Sequence, residues 1–114
     1  YNVNRLSCAL AAAAIKDAEY FEQCRAKIIA TRERMTAQLR ELGYTVLPSA
    51  ANFVLAKSPK IIGSEVYARL KREGILVRHF DDRRIADYVR ITVGTDEQTA
   101  ALIAAVKRME EHYA

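Results

Sequence analysis

Tyr88-Val89-Arg90-Ile91-Thr92-Val93-Gly94-Thr95 is the stretch on which the fold turns. Side chains alternate across a strand, so Val89, Ile91 and Val93 point to one side and Tyr88, Arg90 and Thr92 to the other. The apolar set needs cover from helices. Arg90 then stands on the bare side, where a guanidinium shielded from water needs an anionic partner. Upstream, Ile75-Leu76-Val77-Arg78 follows the same rule within a strand expected over residues 75–79, with Ile75 and Val77 inward and Arg78 outward. Two arginines are thereby aimed at one face.

Working outward, Ile62, Val66 and Leu70 share one face of a helix that Gly63 or Ser64 begins and Gly74 stops. Before it, residues 45–47 and 52–56, on either side of Pro48, have strand composition. Downstream, Thr95 and Gln98 form a capping box, and the helix they open runs to about His112. Its inner stripe is Leu102, Val106, Met109 and Tyr113.

Residues 6–42 contain neither Pro nor Gly and are rich in good helix formers. Asp17 can cap a second helix, with Glu19 favourable to its dipole, which places a break near Lys16 and Asp17. Phe21, Cys24, Ile28, Met35, Leu39 and Leu42 then line one face for packing on a sheet or a neighbouring helix, and Gly43 supplies the left-handed residue that ends it. The order α-α-β-β-α-β-β-α describes an α/β (α+β) fold: a small, mainly antiparallel or mixed sheet of three to four strands, covered on one face by helices. Residues 1–114 are expected to form a single domain, with helices over 6–42 and the sheet-and-helix part over 44–113.

Composition narrows the function. The net charge of +4 is interspersed along helices, which favours a solvated face over a nucleic-acid stripe. No apolar run approaches the roughly 18 residues of a membrane span. Cys8 and Cys24 lack paired metal or redox spacing and suit small buried residues in a reducing cytosol, so a cytoplasmic protein is expected. His79 and His112 have no partners at readable spacing and are taken as surface residues, and no metal site is expected. The opening at Tyr1, already close to a helix, suggests a cut inside a longer protein.

Arginine suits the bare face because its planar fork grips carboxylate or phosphate through two parallel hydrogen bonds, and its charge is independent of pH. Spacing alone leaves another reading open, in which Arg78 and Arg90 pair with Asp81, Asp82 or Asp87 at the surface.

Tyr1-Asn2-Val3-Asn4-Arg5-Leu6-Ser7, Pro48-Ser49-Ala50-Ala51-Asn52-Phe53-Val54-Leu55, Gly74-Ile75-Leu76-Val77-Arg78 and Val89-Arg90-Ile91-Thr92-Val93-Gly94-Thr95 occur in that order and span nearly the whole chain. They resemble successive blocks of the histidinol-phosphate aminotransferase family, dependent on pyridoxal 5'-phosphate (PLP). The resemblance implies the C-terminal small domain of a longer enzyme. It implies that Arg90 grips the anionic end of the substrate, whether the phosphate of histidinol phosphate or a carboxylate of glutamate or 2-oxoglutarate. Arg78 matches a second, phosphate-side arginine. Asn52, on the same strand face as Val54 and Ala56, and Asn4 near the start are candidates to line the cleft, with a turn or cap amide as the alternative for each.

PLP carries the chemistry in such enzymes. A Schiff-base lysine, an acidic partner for the pyridinium nitrogen and a phosphate cradle belong to a larger domain. Lys16, Lys27, Lys57, Lys60, Lys71 and Lys107 do not have that context: Lys71 and Lys107 fall on helix faces, Lys57 and Lys60 in a loop beside Pro59. The chain by itself is therefore expected neither to bind PLP covalently nor to transaminate. The parent is implied to be a homodimer, with this part meeting the missing large PLP-binding domain. Aromatic amino acid aminotransferases and a phosphothreonine decarboxylase share the fold and are the nearest alternatives. A stand-alone α/β binding module, including a nucleic-acid binder, is more distant, because Tyr88 is the one aromatic assigned to the bare strand face. An apolar patch around Leu76 and Val54 is expected where the larger domain would sit.

Overall fold

The computed structural model describes residues 5–112. Helix α1 (Arg5–Lys16) leads into α2 (Ala18–Glu41), followed by strands β1 (Thr45–Val46) and β2 (Phe53–Lys57). Helix α3 (Gly63–Arg72), strands β3 (Arg78–His79) and β4 (Tyr88–Thr92) and helix α4 (Asp96–His112) complete the expected order. The strands lie in the order β1-β2-β4-β3, and every neighbouring pair is antiparallel.

Local chemistry explains the boundaries. Asp17 accepts from the Tyr20 N–H at 3.1 Å and so separates α1 from α2. Both α2 and α3 end in the same closure. Gly43 and Gly74 take φ of 90° and 80°, and the next residues, Tyr44 and Ile75, donate back to Leu39 and Leu70 at 3.0 and 2.9 Å. At α4, the Thr95 N–H donates to Gln98 Oε1 at 2.9 Å and the Gln98 N–H to Thr95 Oγ1 at 3.1 Å, the reciprocal bonds of a capping box.

The register places Val54 opposite Ile91 and Ala56 opposite Val89, so all four share a face. They are buried with Met35 and Leu39 of α2, Val66 and Leu70 of α3, and Leu102, Ala105, Val106 and Met109 of α4. This is the helix-covered face. Phe53, Leu55, Tyr88 and Arg90 occupy the other and are half-buried. A buried polar tie sits at the far end of α4, where Ser58 Oγ donates to Glu110 Oε1 at 2.6 Å and accepts from the Lys60 and Ile61 N–H groups. The Tyr44 phenol has a buried hydroxyl without a normally formed hydrogen bond. It is pushed well above its usual range, first by burial and then by the neighbouring Glu110 carboxylate.

Several expectations need correction. The α2 stripe is buried at Met35 and Leu39 but not at Phe21 and Ile28, which are 57% and 39% exposed, because the first half of α2 lies beyond the sheet. Ile62 is 63% exposed: it is the residue before α3, and Gly63 takes the buried place on that face. Strand β3 is shorter than residues 75–79 because the Ile75 N–H is committed to closing α3. Val54 is fully buried under the helices, so the exposed apolar residue of the expected patch is Leu76, at 76%. Lys57 ends β2 instead of lying in a loop. Cys8 is exposed and Cys24 is half-buried. Tyr113, expected on the α4 stripe, lies outside the described residues.

A candidate anion-binding face

Arg78 and Arg90 are cross-strand partners in the β3–β4 register, so alternation brings both to the open face of the sheet. Arg90 is half-buried and Arg78 exposed. Like charges directly opposite one another repel, which makes their surroundings decisive. The carboxylates near in sequence do not pair with them among the described residues. Asp81 lies 3.9 Å from His79 Nδ1, Asp82 accepts from the Arg84 N–H at 2.9 Å, and Asp87 lies 3.8 Å from Lys57 Nζ. Among the described residues, neither arginine forms an ion pair, and the surface-pairing alternative is not what the fold adopts.

Aromatic rings take that place. The Arg90 guanidinium lies 5.1 Å from the Phe53 ring centre and 5.6 Å from that of Phe80, and the Arg78 guanidinium lies 5.5 Å from Phe80. Distances under about 6 Å are those of cation–π attraction. The bare face therefore carries Phe53 and Phe80 besides Tyr88, which corrects the expectation of a single aromatic there. Alternation could have placed Phe53, since it is out of phase with buried Val54. Phe80 gave no local signal, because its position depends on where β3 meets β4.

Asn52 precedes β2, where its carbonyl accepts from the Val93 N–H at 2.8 Å. Its exposed side chain lines a groove of about 410 Å³ with Phe21, Ile28 and Arg32 of α2, separate from the arginine pair. Arg32 holds this loop by donating to the Ala51 carbonyl at 3.1 Å, a role that sequence reading missed. Asn4 lies outside the described residues. His79 is not a surface residue: its side chain is 11% exposed, and its Nε2 donates to the Ala86 carbonyl at 2.7 Å, fastening the end of β3 to the turn before β4. His112 is exposed. Among the described residues, no cluster of His, Cys, Asp and Glu could hold a metal ion, and no helix is long and apolar enough to cross a membrane.

Two adjacent guanidiniums that lack a carboxylate partner among the described residues have the chemistry to bind a carboxylate or a phosphate. The chain is 52% identical over 109 residues to histidinol-phosphate aminotransferase 1 of Bordetella parapertussis, covering 96% of this chain and 31% of that protein. It is 51% identical over 107 residues to the histidinol-phosphate aminotransferase of Aromatoleum aromaticum, covering 94% and 30%. It thus spans about a third of the length of these curated relatives. The crystal structure of histidinol-phosphate aminotransferase from Sinorhizobium meliloti, in complex with pyridoxal-5'-phosphate, superposes with a TM-score of 0.89 at 28% identity, over 99% of this chain and 32% of that one. The family model for aminotransferase class I and II matches residues 1–106, and the chain belongs to that family.

Proposed function

We propose that this chain is the substrate-anchoring, C-terminal small domain of a longer PLP-dependent aminotransferase that moves an amino group between histidinol phosphate and 2-oxoglutarate in histidine biosynthesis. One observation carries the reading: Arg78 and Arg90 stand side by side on the open sheet face, without a carboxylate partner among the described residues. The names of the curated relatives support the choice of substrate. Arg90 grips the anionic end, Arg78 adds charge on the phosphate side, and the sheet beneath fixes both. Asn52 and Asn4 belong to the same proposal as cleft-lining residues.

In the parent, PLP supplies the electron sink for amino transfer. Lys16, Lys27, Lys57, Lys60, Lys71 and Lys107 are read as surface lysines and are exposed. Attachment is assigned to the larger part of the parent, and the share of this chain is orientation. A cytoplasmic homodimer belongs to the same proposal.

The test uses the full-length protein. Arg90→Ala raises KM for histidinol phosphate by about 100-fold, the worth of a bidentate charge-assisted contact. Arg78→Ala weakens histidinol phosphate more than glutamate. Unchanged KM in Arg90→Ala sinks the anchoring role, and equal losses for both substrates in Arg78→Ala sink the phosphate role. Release of carbon dioxide in place of amino transfer would move the parent to the decarboxylase alternative.

A further inference from the structure

We propose that Phe53 and Phe80 are positioning residues that hold the Arg90 guanidinium between their rings, with Phe80 shared by Arg78, so that the two cations form one preorganised receptor for a carboxylate or phosphate. This rests on the anchoring role proposed above for Arg90. Register creates the arrangement. Phe53 pairs with Thr92 and is therefore diagonal to Arg90 on the same face, and Phe80 follows Arg78 by two residues, just past the end of the strand that pairs with Arg90. The guanidinium-to-ring distances of 5.1, 5.6 and 5.5 Å link Phe53, Arg90, Phe80 and Arg78 into one row.

The chemistry of the row differs from that of an ion pair. A carboxylate partner would hold the arginines by occupying the N–H donors that a substrate needs. A ring attracts the cation through its quadrupole and takes no conventional hydrogen bond from it, so the donors stay available. The shared Phe80 offsets the repulsion between two opposed guanidiniums, and packing between rings removes rotamers that binding would otherwise have to freeze. Among the described residues, Asp81, Asp82 and Asp87 form no ion pair with either arginine, and the rings are the groups found within cation–π distance of these charges.

The experiment is a set of substitutions in the full-length holoenzyme. Phe53→Leu and Phe80→Leu keep apolar bulk and remove the ring face, whereas Phe53→Tyr and Phe80→Tyr keep the face. Each leucine variant is expected to raise KM for both histidinol phosphate and glutamate by about five- to tenfold, with kcat within about twofold, while the tyrosine variants retain the parental KM. In a nitrogen-15 NMR spectrum, the Arg90 Nε–H signal loses its ring-current shift in the leucine variants and keeps it in the tyrosine variants. Parental KM in both leucine variants, alongside a raised KM in Arg90→Ala, overturns the positioning role and leaves the anchoring role intact. Parental KM in Arg90→Ala overturns both. A fall in kcat common to the leucine and tyrosine variants indicates packing alone and also overturns the proposal.

Discussion

Arg90 keeps its charge at every working pH, so geometry rather than protonation governs what it can hold. Arg90→Lys retains the charge but loses the planar fork and the stacking on Phe53 and Phe80. In the full-length protein its KM for histidinol phosphate is expected to rise about tenfold, less than for Arg90→Ala, as steady-state kinetics would show. Tyr44 supplies a different test. Its folded pKa is raised above the ordinary value of 10.0, so its contribution to stability is complete below that pH and is lost as pH rises toward the folded value. Urea midpoints measured at about pH 9 and pH 11 should therefore fall more for the parent chain than for Tyr44→Phe. At single residues, alternation was enough to read the face of Arg90 and Arg78, and it misplaced nothing on β4. The half-burial of His79 was not legible, because it comes from contact with the turn carbonyl of Ala86, seven residues away in sequence.

Helix ends followed local rules closely, because caps are made between residues a few positions apart. Thr95→Ala removes one bond of the α4 capping box and is expected to cost about 1 kcal/mol in thermal or urea unfolding. The first turn of α4 keeps a second tie, since Asp96 accepts from Thr31 at 3.0 Å and pairs with Arg34, which limits the loss. The glycines bounding α3 differ in kind. Gly74→Ala meets nothing within 4 Å and bears only the left-handed backbone penalty of about 1–2 kcal/mol. An added Cβ at Gly63 would lie 2.5 Å from the Ala86 carbonyl oxygen, so Gly63→Ala must displace backbone. It should cost more than Gly74→Ala, at about 2–3 kcal/mol. Equal unfolding midpoints for the two variants would contradict this. The shortened β3 was not readable locally, because residue 75 has the composition of a strand while its N–H serves the end of a helix.

The whole molecule is elongated. Its radius of gyration of 16.7 Å exceeds the roughly 13 Å of a compact chain of this length. The extra length comes from α1 and the first half of α2, where Leu6, Leu10, Phe21 and Ile28 are exposed. Apolar side chains grouped on helices beyond the core favour association. Sedimentation of the chain by itself should show self-association that grows with concentration and is reduced by Leu10→Glu and Phe21→Glu. A monomer at high concentration in the unsubstituted chain would contradict it.

The sequence by itself determined the element order, the helix caps, the covered and open faces of β4 and the pair of outward arginines. Each follows from contacts within a few residues or from the two-residue period of a strand. Only the tertiary structure decided which part of α2 is buried, that Arg78 and Arg90 lack a carboxylate partner among the described residues, and that Phe53 and Phe80 stand beside them. Those outcomes depend on strand register and on where a long helix runs past the edge of its sheet, and both are set by packing among residues far apart in the chain.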